Sequence, residues 1–214
     1  MTPFVRLQGV AAALPVANID TDTLFPARFL KTTSRRGLGR MLLHDQRFAS
    51  DGRERPQFVL NQSPWREAKV LVTLDNLGSG SSREHAVWAL SDFGIRCVVA
   101  PSFADIFRMN CLKNGVLPIA PTPPELRVLL ADAADPGTCS LDVNLERQEI
   151  RRANGAVIPF RIEAESRRRL LGGIDDVAAT LGAAAEIERF EAVAARERPW
   201  ITAIPALSPA AVQP

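Results

Sequence analysis

Residues 68–119 alternate strand and helix signals without interruption, and few architectures accept that pattern. Residues 68–74 (AKVLVTL) form a short run rich in Val and Leu, the signature of a buried strand. Residues 84–93 then set Ala86, Ala89, Leu90 and Phe93 at helical spacing, and Gly94 follows where a C-terminal cap belongs. Residues 95–100 (IRCVVA) read as a second strand, stopped by Pro101. Ser102 and Asp105 have capping-box spacing and open a predicted helix over 104–114, closed by Gly115. Residues 116–119 supply a third strand. Strand, helix, strand, helix, strand in so short a span predicts right-handed parallel crossovers with helices laid over a sheet, an α/β fold.

The flanks are less regular. Residues 4–14 and 57–60 read as strands on either side of a long basic loop, whose centre lies at about 31–55. A loop of that length inside a compact domain is either functional or disordered. Beyond the alternating segment, 124–132 reads as a helix, and 140–144, 149–152 and 157–162 as short strands, with Asn154-Gly155 as a hairpin turn. Residues 163–198, rich in Ala and Glu, are predicted to be helical, and 199–214, with four prolines, to be a flexible tail. The expected organisation is a main domain over 1–162, a helical extension over 163–198 and the tail.

Charge and cysteine usage narrow the function. A formal net charge of +2 in 214 residues, with acids beside bases nearly everywhere, argues against a nucleic-acid surface. The short cluster Arg167–Arg168–Arg169 reads as a solvated helix face. No apolar run approaches the ~18 residues of a membrane span, and the first residues (MTPFVRLQGV) lack the pattern of a signal peptide. Cys97, Cys111 and Cys139 are odd in number and widely spaced, so reduced thiols and a cytoplasmic location are expected. With no C-x-x-C and with His44 and His85 far apart, no metal or iron–sulfur cluster is expected to be bound wholly by this chain.

The candidate site is the run GSGSSREHA, residues 78–86, between the first predicted strand and its helix. Open α/β sheets bind ligands at such strand-to-helix turns. Gly78 and Gly80 permit backbone angles that gather N–H groups, and the helix dipole adds positive charge. Ser81 and Glu84 have capping-box spacing, which puts the helix start near Ser82, and Arg83 offers a guanidinium fork. Together these describe an anion site, most naturally for a carboxylate. Arg83 stands where a dinucleotide fingerprint needs its third glycine, and neither the phosphate loop nor the esterase elbow matches. A Ser–His pair from Ser81 or Ser82 with His85 would lie on one helical turn, unlike a serine hydrolase. A structural Gly/Ser turn is the alternative that these residues alone leave open.

The longer string decides between them. GSGSSREHAVWAL followed by VVAPSFADIF resembles the small subunit of 3-isopropylmalate dehydratase, in the aconitase superfamily. NIDTDTLFPARFL (18–30), RGLG (36–39), FVLNQSPW (58–65) and KNGVLPI (113–119) follow in the family's order, so the resemblance covers about residues 4–200. It implies a swivelling β/β/α fold like the fourth domain of aconitase. It also implies a hydro-lyase of leucine biosynthesis that converts 2-isopropylmalate into 3-isopropylmalate through an alkene. In that family a separate large subunit carries a [4Fe-4S] cluster and is the obligatory partner, so this chain alone is expected to be inactive.

Carried over by motif, the resemblance makes Ser81 the base that removes the proton alpha to a carboxylate. It makes Ser82 and Arg83 the groups that hold a substrate carboxylate, with Glu84 and His85 orienting the loop. Arg35, in KTTSRRGLGR, falls where the family's substrate-recognition loop lies and is the expected second carboxylate contact. Asp20 and Asp22, interleaved with threonines, are expected to cap backbone N–H groups near the site rather than bind a metal. Leu77 and Ser79 replace the aromatic residue and the cysteine common in the family's loop, and FRMNC (107–111) replaces a smaller, more polar stretch. These departures keep two alternatives in view: a paralogous subunit for citramalate, dimethylmaleate or homoaconitate, and a dicarboxylate-binding module without turnover.

Overall fold

The computed structural model describes residues 1–31 and 34–202. Thr32 and Thr33 of the expected loop, and 203–214 of the expected tail, lie outside the described residues. Seven strands form one sheet: β1 (Arg6–Leu14), β2 (Val70–Thr73), β3 (Cys97–Val99), β4 (Leu117–Ile119), β5 (Ser140–Asn144), β6 (Glu149–Arg151) and β7 (Val157–Pro159), in the order β4-β3-β2-β1-β5-β6-β7. From β4 to β1 the neighbours run parallel, and from β1 to β7 they run antiparallel. The helices are α1 (Thr21–Leu24), α2 (His44–Arg47), α3 (His85–Phe93), α4 (Asp105–Lys113), α5 (Pro123–Ala134), α6 (Ala164–Gly172), α7 (Asp176–Gly182), α8 (Ala184–Glu197) and α9 (Pro199–Thr202).

The period-2 logic of a strand sorts the parallel half into two cores. Val70, Val72, Cys97 and Val99 point to one face, where Leu126 and Leu129 of α5, Leu170 of α6 and Leu141 and Val143 of β5 join them. Leu71 and Val98 point to the other, against Val87 and Leu90 of α3 and Phe107 of α4. Strands covered on both faces need no polar alternation, which is why AKVLVTL and IRCVVA are almost wholly apolar. On α3 the spacing of Ala86, Val87, Ala89 and Leu90 makes one buried stripe. Gly94 closes the helix at φ +115°, its N–H donating to the Leu90 and Ser91 carbonyls.

The expected basic loop is a packed segment over its described residues. Its anchor is Arg47, buried although charged: Nη1 donates to the Gly39 and Leu42 carbonyls (2.9 and 3.2 Å) and Nε to Asn61 Oδ1 (3.1 Å). Its guanidinium also lies over the Phe48 and Phe93 rings. Desolvation lowers its pKa, but the carbonyls and rings take the place of water. Asn61 returns two donors to the Arg47 and Arg55 carbonyls, while Leu38, Leu42 and Leu43 sink into the core. Residues 57–60, expected as a strand, instead enter a 3-10 turn, Val59–Asn61, closed by Asn61 N–H on the Phe58 carbonyl and Gln62 N–H on that of Val59.

The main compact unit is Met1–Asp175, and the described residues beyond it, 176–202, belong to a second. The boundary expected at 162 therefore moves, because α6 packs with the sheet: Leu170 is fully buried and its carbonyl accepts from Phe4 N–H. The Arg167 cluster is split accordingly, with Arg167 donating to the Leu145 and Glu146 carbonyls and Arg168 and Arg169 pairing with Glu165. Among the described residues no helix is long and apolar enough to cross a membrane.

Candidate active site

A pocket of about 140 Å³ opens where the β2–α3 loop meets α1. Asp20, Thr21, Asp22, Gly80, Ser81, Arg83 and His85 give it polar walls, and Phe25, Leu30 and Ala86 an apolar one. α1 is a single turn, held by side chains that also face the pocket. Asp20 is its N-cap and accepts from Thr23 N–H at 2.6 Å, and Asp22 accepts from Ala27 N–H at 2.6 Å. Both carboxylates therefore cap backbone donors, as their Thr-interleaved spacing indicates.

The loop is stitched to α1 and to the segment before α4. Thr21 N–H donates to the Ser79 carbonyl and Thr21 Oγ1 accepts from Ser81 N–H, both at 2.8 Å. Gly78 N–H donates to the Ile19 carbonyl, while Leu77 N–H donates to the Ser102 carbonyl and the Leu77 carbonyl accepts from Ala104 N–H. Gly78 has φ +85°, and an ideal Cβ there would stand 2.0 Å from Cγ of Phe107. Gly80, at φ +108°, passes close beside Thr21 Oγ1. Close backbone approach is thus the reason for both glycines.

These contacts place Ser81 Oγ as a double acceptor: Arg83 N–H donates to it at 3.2 Å and Arg83 Nε at 3.0 Å. α3 begins only at His85, with Glu84 as a cap that makes no side-chain cap bond, so the capping box expected for Ser81 and Glu84 does not form. Each partner is used elsewhere. Ser81 faces Arg83, and Glu84 Oε2 accepts from Trp88 Nε1 (3.2 Å) and Asn114 Nδ2 (2.9 Å). The Ser102–Asp105 box is also absent; Ser102 Oγ accepts from Asn76 N–H.

The structure brings Gly80, Ser81, Arg83 and His85 together at the pocket, with exposed Ser82 beside it on the loop. Arg35 lies elsewhere: its guanidinium sits over the Trp88 ring at 4.8 Å, in a shallow cleft with Ser91, Asp92 and Asn114. Trp88 packs in turn on the His85 ring at 4.7 Å, so one aromatic layer separates Arg35 from the pocket. Sequence reasoning missed Thr21, Phe25 and Leu30 as walls and Asn110 and Asn114 as partners of the loop. The two asparagines carried one signal, their spacing of one helical turn, but nothing in the sequence shows which way that face points.

The mixed seven-stranded sheet thus carries a strand-to-helix turn that presents a serine and an arginine to a small pocket, and the aconitase C-terminal domain family matches residues 1–123. A solved structure, 3-isopropylmalate dehydratase (leuD) from Methanocaldococcus jannaschii, resembles this chain with a TM-score of 0.63 and 26% identity, over 87% of this chain and 99% of that one. A 3-isopropylmalate dehydratase small subunit from Gluconacetobacter diazotrophicus is 54% identical over 95% of this chain and 99% of its own length. Another, from Rhodospirillum rubrum, is 52% identical over 94% and 97%. The chain belongs to the family of 3-isopropylmalate dehydratase small subunits.

Proposed function

We propose that this chain is the small subunit of a hydro-lyase that isomerises 2-isopropylmalate to 3-isopropylmalate, working with a large subunit that carries the iron–sulfur cluster. One observation carries the assignment of roles: the Ser81 hydroxyl oxygen accepts twice from Arg83 at the pocket wall. A serine hydroxyl is too weak an acid to serve as a base unless its alkoxide is stabilised, and an N–H donor with a guanidinium is the arrangement that stabilises one.

Ser81 Oγ takes the proton from the methylene carbon beside one carboxylate. The C–H electron pair becomes the second bond of the alkene, and the hydroxyl leaves the neighbouring carbon with its bonding pair, taking a proton from an acid on the large-subunit side to become water. Water then adds its oxygen at the former methylene carbon, giving one proton back to that side, while Ser81 returns its proton to the carbon bearing the isopropyl group. Ser82 and Arg83 hold one carboxylate; for Arg35 to contact the other it must leave the Trp88 ring, which stands between it and the pocket. Phe25, Leu30 and Ala86 suit an aliphatic substituent, and the names of the relatives at 54% and 52% identity support isopropylmalate over citramalate, dimethylmaleate or homoaconitate.

This chain's own donors do not fit an iron–sulfur cluster. Among the described residues no three His, Cys, Asp or Glu side chains are grouped to hold a metal. Cys97 and Cys111 are fully buried, and that burial pushes their thiols far up from the usual thiol range. Activation of the leaving hydroxyl therefore falls to the large subunit.

The test is turnover after anaerobic reconstitution with the cognate large subunit, offering 2-isopropylmalate, citramalate and dimethylmaleate in parallel. Isopropylmalate is expected to be preferred, with activity lost in Ser81→Ala. Preference for a smaller diacid would overturn the substrate, and full activity in the variant would overturn the base.

A further inference from the structure

The Ser81–Arg83 contact is a bond between a side chain and a peptide N–H, and something must fix the direction of that peptide. The Ser82 carbonyl and the Arg83 N–H belong to one planar trans peptide group, so they point opposite ways. The N–H faces Ser81 Oγ on the pocket side. The carbonyl faces α4, where Asn110 Nδ2 donates to it at 3.1 Å. One turn further, at the C-cap of α4, Asn114 Nδ2 donates to Glu84 Oε2 at 2.9 Å and Asn114 Oδ1 accepts from Trp88 Nε1 at 3.0 Å. The residues on both sides of Arg83 are therefore held from behind by the same helix.

That helix is itself located by the loop. Phe107 fills the space above Gly78, and the Leu77 carbonyl accepts from Ala104 N–H, so α4 and the loop cannot shift independently. Asn110 is buried, at 7% exposure, in an otherwise apolar stripe with Phe107 and Cys111. A buried amide that spends its donor on one loop carbonyl is an expensive choice for packing alone, where a leucine would serve.

We propose that Asn110 is a positioning residue: by holding the Ser82 carbonyl it aims the Arg83 peptide N–H at Ser81 Oγ, with Asn114 fixing Glu84 on the far side. Without Asn110 the peptide is free to rotate, and Ser81 loses its backbone donor while keeping the Arg83 side chain. This rests on the reading of Ser81 as the base. Asn110 touches neither substrate nor reacting atoms.

The experiment compares the wild type, Asn110→Asp, Asn110→Leu and Ser81→Ala, each reconstituted with the large subunit and normalised to assembled complex. Asn110→Asp keeps the size and shape of the side chain but has no N–H to give, so it covers the case in which Asn110→Leu does not fold. The substrate is 2-isopropylmalate, unlabelled or deuterated at its methylene carbon. The expected result for Asn110→Asp is a roughly tenfold to hundredfold fall in kcat, the size typical of lost orienting partners. KM should stay within about threefold, because the carboxylate contacts remain. The isotope effect on kcat should exceed that of the wild type, because proton removal limits the rate more fully, whereas a smaller population of folded enzyme would leave it unchanged. Wild-type kcat, a KM change matching the loss, or an unchanged or smaller isotope effect would each overturn the role of Asn110. Activity retained in Ser81→Ala would instead remove the reading of Ser81 beneath it.

Discussion

Replacing Gly78 by alanine tests how tightly the loop is bolted to the core. Two separate terms oppose the new methyl group. The residue sits at φ +85°, a region that costs an L-residue about 1–2 kcal/mol. An ideal Cβ would also stand 2.0, 2.4 and 2.5 Å from Cγ, Cδ1 and Cβ of Phe107, a ring only 2% exposed. Phe107 cannot swing into solvent, so the core must shift, which costs a further ~1–3 kcal/mol. The sum, roughly 2–5 kcal/mol, is a large share of the ~5–15 kcal/mol that holds an ordinary domain together. Gly155 provides the control. It has φ +86° but nothing within 4 Å of an added Cβ, so Gly155→Ala should lose only about 1–2 kcal/mol. Urea unfolding of both variants, followed by circular dichroism, gives the comparison directly. If the two lose the same stability to within about 0.5 kcal/mol, the steric argument for Gly78 is wrong.

Other perturbations read other parts of the molecule. Hydrogen bonding and charge from Arg28 hold the Asp45 carboxyl well below the usual range, at about 2. A depressed carboxyl stabilises the fold above its unfolded pKa and loses that contribution as pH falls towards 2. Asp45→Asn should therefore be less stable than the wild type at pH 7 by under about 1 kcal/mol, as for any exposed pair, and the difference should vanish near pH 2 in acid titrations. Trp65 Nε1 donates to the Ala133 carbonyl at 2.7 Å in a buried setting, so Trp65→Phe should lose about 1–3 kcal/mol in chemical denaturation. Cys97 and Cys111 should resist a thiol reagent at pH 8 in the native protein and react once it is unfolded; prompt native labelling would contradict their burial.

The elements that the sequence makes plain are those in which one physical rule acts alone. β2, β3 and β4 announce themselves because a strand covered on both faces can be apolar throughout, and α3 because its stripe ends at a glycine. The glycine-rich loop is equally visible, and Gly80, Ser81, Arg83 and His85 do converge on one pocket. Reasoning fails where side chains have competing partners. Ser81 and Glu84 have capping-box spacing, but Arg83 and the Asn114–Trp88 pair claim them first. Residues 31–55 read only as a long basic loop, functional or disordered, because the burial of Arg47 depends on carbonyls and on Asn61, groups that no charge pattern reveals. The domain boundary lies further on for a similar reason: Leu170 and Leu171 are the two leucines of a charged helix, and only the sheet beneath shows that Leu170 is core.

The order of strands also bears on how the chain is made. β1 is the central seam, parallel to β2 on one side and antiparallel to β5 on the other. Ribosomal synthesis delivers β1 first, and β2, β3 and β4 can dock on it as the helices between them emerge. Its second edge must wait for residues 140–144, more than a hundred residues later. Throughout that interval the nascent domain carries an open row of backbone donors and acceptors along β1, the feature that invites edge-to-edge pairing with other chains. A chain stalled after residue 123, with the pocket residues already made, should thus be the species most in need of a chaperone, and the β5–β6–β7 meander is the part that ends the hazard.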